Sequence, residues 1–209
     1  IKMSEKFQNL IKIPEQPAAR LLAIGNTKVE TKLKVPASAT VAVVLGELEE
    51  SEAYVDMIRL LSVSLPSREC VWWACLAGKD IMTMEGYKSE CLSAAEAWVF
   101  EPTNENRKRL HLVLENESGN DPAVLAATAA FYASGTMGLG DMEEQPAPPG
   151  VVSSCSFGIN LLTIKLGPDP DTRFKLIIDR AINIARGGSG NLSLSQLTPS
   201  SVDLDSGII

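Results

Sequence analysis

The stretch LPSRECVWWACLA, residues 65–77, sets two of the chain's three tryptophans side by side. Successive residues of an α-helix point about 100° apart, so Trp72 and Trp73 cannot share one narrow apolar stripe. Either the helix that carries them is covered on two sides, or one indole stands at the surface as a binding anchor, a role in which tryptophan is favoured. Their neighbours Val71, Ala74, Cys75, Leu76 and Ala77 are small or apolar, which favours covering on two sides and points to an all-helical fold. Pro66 opens this helix with a preset φ, and Gly78 predicts its C-terminal stop. In its first turn Glu69 complements the helix dipole and Arg68 opposes it. Arg68 therefore calls for compensation, either from a carboxylate such as Glu96 or from an anionic ligand.

Helical punctuation continues on both sides. ASATVAVVL (37–45) is followed by Gly46 and an acidic run; Ser51 then predicts a cap for a helix with Val55, Ile58, Leu61 and Leu65 at helical spacing. SECLSAAEAWVFEP places Cys91, Leu92, Ala95, Trp98 and Val99 on one face and ends at Pro102. Thr103 caps NENRKRLHLVLEN, and Asp121 with Pro122 opens AVLAATAAFYAS, whose small side chains predict a central position. In GTMGLGDMEEQPAPPG (135–150) glycine and proline are dense enough to forbid regular structure, and connections of that length are often functional. VVSSCSFGINLLTIKL is apolar around much of its circumference, which predicts a helix covered on several sides. Asp169 and Pro170 open a last helix that stops at Gly187 and Gly188.

KVETKLKV (28–35) and NLSLSQL (191–197) break this rule. Their period-two alternation predicts strands, which either pair with each other, add to the edge of another protein's sheet, or lie extended on the surface. The expected fold is all-α: an antiparallel helical bundle or a short solenoid-like array of about seven or eight helices, with a minor β element from the terminal arms. The expected organisation is a basic N-terminal arm (1–35), a single helical domain (36–187) and a polar C-terminal tail (188–209).

At 209 residues and 45% hydrophobic content, the chain supports one ordinary core. A net charge of -7 argues against a nucleic-acid partner, because phosphate binding needs concentrated Lys and Arg. Residues 1–35 nevertheless hold seven basic side chains against three acidic ones, so the arm either folds back on the acidic body or reaches an acidic partner. No stretch approaches the roughly 18 apolar residues that span a bilayer, and IKMSEKFQNL lacks the apolar run of a signal peptide. We therefore expect a soluble, cytoplasmic protein without membrane insertion.

Catalytic signatures are absent from the sequence. Cys70, Cys75, Cys91 and Cys155 form no C-x-x-C pair, and His111 is the single histidine, so no metal or other cofactor is expected and the cysteines read as buried small hydrophobes. No G-x-S-x-G surrounds a serine, and GGSGN lacks the preceding strand and following Lys-Ser/Thr of a phosphate loop. Buried carboxylates among Glu69, Glu96 and Glu105 are the remaining route to an enzyme.

YVDMIRLLSVSLPSRECVWWACLAG, AAEAWVFEPTNENRKR and DPAVLAATAAFYASGTMG together resemble an uncharacterised bacterial family, a domain of unknown function. Its members show LPxRExVWWAC and EAWVxxPxxxNR segments and an Ala-rich helix ending in an aromatic residue. The matching positions include Asp56, Arg59, Arg68, Glu69, Trp72, Trp73, Glu96, Trp98, Asn106, Arg107 and Phe131. The chain departs from the family in its DMIRLLSVSLP helix and in the acidic GDMEE before the Pro-rich loop. The resemblance implies no catalytic residue. It implies a genetic setting near type VI secretion, and hence a non-catalytic adaptor, accessory or chaperone-like protein whose partner is an effector, a spike component or a toxin. An immunity protein that neutralises a toxin is the alternative, and a helical enzyme the third. The residues expected to carry packing or interaction are Arg68, Glu69, Trp72, Trp73, Glu96, Trp98 and Arg107.

Overall fold

In a computed structural model, residues 5–117, 119–166 and 169–193 are described. Among them nine α-helices follow one another: α1 (Ala18–Ile24), α2 (Val41–Glu50), α3 (Tyr54–Ser64), α4 (Ser67–Glu85), α5 (Glu90–Phe100), α6 (Asn104–Asn116), α7 (Val124–Tyr132), α8 (Val151–Leu162) and α9 (Pro170–Ala185). The fold is all-α, and the bundle alternative is the one realised. Helix α4 touches α5, α7, α8 and α9, whereas in a solenoid each unit meets only its chain neighbours.

Two apolar clusters share α4 as their wall. Cys70, Trp73 and Leu76 face a cluster built with α1, α2, α3 and α9. Val71, Ala74, Cys75, Ala77 and Ile81 face the other, built with α5, α6, α7 and Ile159 of α8. Trp72 borders both. This two-sided covering requires a helix apolar around most of its girth, and residues 70–77 supply it.

Gly78 does not end α4, which runs seven residues further to Glu85 and stops at Gly86, whose φ of 74° is left-handed. Gly78 serves proximity: a Cβ there would lie 2.9 Å from Leu92 Cδ1, so its absence lets α5 close onto α4. Gly46 likewise lies inside α2. Ser51 caps the C-terminal end of α2 and not the start of α3, which begins at Tyr54. Two other starts follow their sequence signals, Thr103 accepting from Asn106 N–H and Asp169 from Asp171 N–H, and the structure adds a cap at α5, where Ser89 accepts from Leu92 N–H.

The N-terminal segment contributes to the core through Phe7, Leu21 and Leu22, all buried. Two of its lysines meet the acidic body: Lys6 bonds Glu49 at 2.8 Å and Asp179 at 3.2 Å, and Lys12 bonds Glu69 at 2.7 Å. Residues 28–35 are not a strand. Glu30 and Thr31 both donate their amides to Asp56 of α3, at 3.0 and 2.8 Å, and Lys34 and Val35 both donate to Glu47 of α2, at 2.6 and 3.1 Å. Consecutive amides in a strand point to opposite edges, so two adjacent pairs that each close on one carboxylate exclude a ladder. The apolar side chains at 29, 33 and 35 still pack on the core. Of the other expected strand, residues 194–197 lie outside the described residues, and 191–193 are irregular. Among the described residues, the β element is reduced to isolated bridges at Pro17–Thr40 and Thr136–Pro146.

The second bridge corrects the reading of residues 135–150. Met137 N–H bonds Gln145 O at 2.8 Å and Ala147 N–H bonds Gly135 O at 2.9 Å, forming a short hairpin with a 3-10 turn at Gly140–Glu144. The prolines sit at 146, 148 and 149, on one arm, where they leave these rungs intact.

Candidate functional site

The two indoles have different surroundings. Trp73 is wholly buried and donates its N–H to Ile177 O of α9 at 3.1 Å. Trp72, half-buried, donates to Ser189 O at 2.6 Å, just after α9 ends. Its ring meets Phe100 edge-on with centroids 5.7 Å apart, and Lys79 Nζ lies 4.7 Å from its centroid.

Arg68 bonds neither Glu96 nor any other carboxylate among the described residues. Its Nε donates to Val99 O at 2.6 Å and its Nη2 to Phe100 O at 3.2 Å. These are unpaired carbonyls at the C-terminal end of α5, where a cation is favoured. The same charge that opposes the dipole of α4 complements that of α5. The antiparallel register of α4 and α5 puts Glu96 further along, beside Lys79, with which it pairs at 2.5 Å. Arg107, 3% exposed, repeats the arrangement at the end of α7: Nε donates to Phe131 O at 3.0 Å and Nη2 to Thr136 O at 2.8 Å. Its guanidinium lies 4.9 Å from the Phe131 ring centroid. Burial lowers the Arg107 pKa, opposed by Glu143 and Tyr132. Trp98 is buried in the second cluster.

Of the seven singled-out residues, Arg68, Glu69 and Trp72 meet in one place. With Lys12, Val99, Ile184, Gly187 and Gly188 they line an open cleft of about 230 Å³. Phe100 flanks it at 69% exposure, and Ile11, near Gly187, is 74% exposed. Trp73, Trp98 and Arg107 belong to the interior instead.

The three carboxylates weighed for catalysis do not share one site. Glu69 is held by Lys12 and Glu96 by Lys79, while Glu105 is exposed in the first turn of α6. Cys91 Sγ, Glu117 and Asp121 come within 4.8 Å of one another, the one grouping of potential metal ligands among the described residues. Asp121 receives Ser89 Oγ and Ala123 N–H at the start of the α7 segment, and Glu117 receives Gly119 N–H. Burial, with Asp121 and Glu117 nearby, pushes the Cys91 thiol up to about 12, so it is protonated. Cys70 is likewise pushed up to about 12 by burial. His111 stacks on Phe131, with centroids 5.8 Å apart.

Sequence reasoning missed a second polar group beneath this surface. Asp80 of α4 accepts from Arg173 at 3.0 Å and from Arg180 at 2.7 and 3.1 Å. Arg180 also donates to Leu192 O at 3.0 Å, and Asn183 Oδ1 accepts Gly190 N–H at 2.8 Å. With Trp72 and Ser189, these contacts strap residues 187–193 across α4 and α9. The available signal was Arg173 and Arg180 seven apart, on the helical face that also carries Ile177 and Ile184.

A family model described as "Family of unknown function (DUF6931)" matches residues 44–185. No curated protein and no solved structure matches the chain. The matched span holds Arg68, Trp72 and Phe100, and it ends where the strap begins.

Proposed function

The chain belongs to the family of unknown function DUF6931, and within it we propose that this protein is a non-catalytic binding accessory, an adaptor or chaperone-like factor of type VI secretion. One observation carries this reading. Phe100, edge-on to the Trp72 ring, and Ile11, near Gly187, stand largely exposed beside residues that line the cleft containing Trp72 and Arg68. Tryptophan and arginine beside exposed apolar side chains are the composition of protein-binding hot spots. The type VI secretion setting is what the sequence resemblance implies. Among the described residues no helix is long and apolar enough to cross a membrane.

The test is affinity capture of the tagged chain at native expression, with chemical crosslinking and mass spectrometry. An effector or spike component should be recovered, and deleting the gene should impair delivery of that cargo. Recovery of no secretion component, with delivery intact, overturns the proposal. The net charge of -7 favours a second reading, an immunity protein that binds a basic toxin. That reading requires protection of cells from one co-expressed toxin.

A further inference from the structure

We infer that the Arg68–Trp72 cleft takes an extended peptide segment of a partner protein in which acidic and aliphatic residues alternate. This rests on the binding-protein reading above and names what that site recognises.

Charge is the first argument. The chain carries a net charge of -7, yet Lys12 and Arg68 line this cleft, and Lys79 Nζ lies 4.7 Å from the ring centroid of Trp72. Among the described residues two carboxylates pair with these cations, and each is taken by a lysine: Glu69 by Lys12 and Glu96 by Lys79. Arg68 bonds two backbone carbonyls. Among the described residues it has no carboxylate partner. A guanidinium carries five N–H groups, so Arg68 retains donors for an incoming carboxylate after capping α5.

The lining supplies the rest. Trp72, Val99 and Ile184 supply apolar lining, with exposed Phe100 against Trp72 and exposed Ile11 near Gly187. A phosphate or nucleic acid leaves such a lining without a match, whereas an aliphatic side chain next to a carboxylate uses both. Size agrees. At about 230 Å³ the cleft is smaller than the roughly 300 Å³ at which cofactor-sized sites begin, and it is open to solvent along its length. It accommodates one or two side chains of a passing peptide.

The test titrates two N-acetylated, C-amidated peptides of equal length, an Asp-Leu repeat and an Asn-Leu repeat, against the full chain. The indole N–H resonances report binding, with Trp72 assigned through Trp72→Phe. The Asp-Leu peptide should move the Trp72 resonance, leave that of Trp73 in place, and bind about tenfold more tightly than the Asn-Leu peptide. Arg68→Gln should abolish that preference. Because Arg68 also caps α5, Phe100→Ala, a change at an exposed side chain, provides the second arm and should weaken the Asp-Leu peptide severalfold with helicity unchanged.

Equal binding of the two peptides, a Trp72 resonance unmoved at saturating peptide, or binding indifferent to both substitutions overturns the inference. Concentration-dependent dimerisation abolished by Phe100→Ala makes a second copy the occupant and also overturns it. If both variants still capture the secretion partner while the peptide response is absent, only the cleft assignment fails. A peptide response without any secretion partner fails the functional setting and leaves the cleft standing.

Discussion

Trp72 donates its indole N–H to the carbonyl oxygen of Ser189, 117 residues away in sequence, at 2.6 Å. The bond ties the first apolar cluster's wall to the segment that follows the last helix. Trp72→Phe keeps most of the ring and removes the donor. We expect a stability loss of about 0.5–1.5 kcal/mol, the net worth of one hydrogen bond. Hydrogen exchange should quicken at residues 187–193, with protection elsewhere retained.

Trp73→Ala should behave differently. Trp73 is wholly buried, and truncating it leaves a void between α4 and α9. A loss of about 3–5 kcal/mol is expected in chemical denaturation. A cost below that of Trp72→Phe would contradict the placement of the two indoles.

Three glycine-to-alanine substitutions should fall in a fixed order. Gly46→Ala, inside α2 with open space around it, should stabilise by about 0.5–1 kcal/mol. Gly86→Ala, at φ 74° with open space, should cost roughly 1–2 kcal/mol for the left-handed backbone alone. Gly150→Ala should cost more than either, because its φ is 75° and a Cβ would lie 2.1 Å from Gly25 O, a backbone atom. Thermal denaturation of the three variants decides it.

Asp56 confers an acid dependence. Burial alone would raise its pKa, but the Thr31 hydroxyl and amide, the Glu30 amide and Arg59 together hold it below the ordinary 3.8. A depressed folded value means that this contribution is complete above 3.8 and is lost as pH falls through the lower folded value. Asp56→Asn should therefore destabilise the protein at neutral pH, and its stability should fall less on acidification than that of the wild type. Urea midpoints from pH 7 down to pH 2 give the comparison.

Arg107→Lys tests the arginine caps. A lysine cannot reproduce the fork that joins Phe131 O and Thr136 O, so we expect a loss of about 1–3 kcal/mol. Proteolytic cleavage within residues 135–150 should become faster.

The sequence discloses what rests on local chemistry. The helical class, the caps at Thr103 and Asp169 and the two-sided burial of the Trp-bearing helix all follow from side-chain pattern over a few turns. What stays hidden depends on partners distant in the chain. Gly78 carries the local signature of a stop, and only the approach of Leu92 shows that it is a contact. KVETKLKV carries the alternation of a strand, yet Asp56 and Glu47 capture its amides first. Arg68 was legible as a cation needing compensation. That compensation came from the end of a neighbouring helix, an acceptor with no residue type to mark it. The cleft joins residues 12, 68, 99 and 187, and no window of sequence contains them together.

Helix α4 presents one flank to each apolar cluster. Neither half of the molecule can melt and leave the other intact, since the departing half would strip the shared partition of its cover. Heat and denaturant should thus produce a single cooperative transition, and a fragment cut on either side of this partition should fail to fold alone.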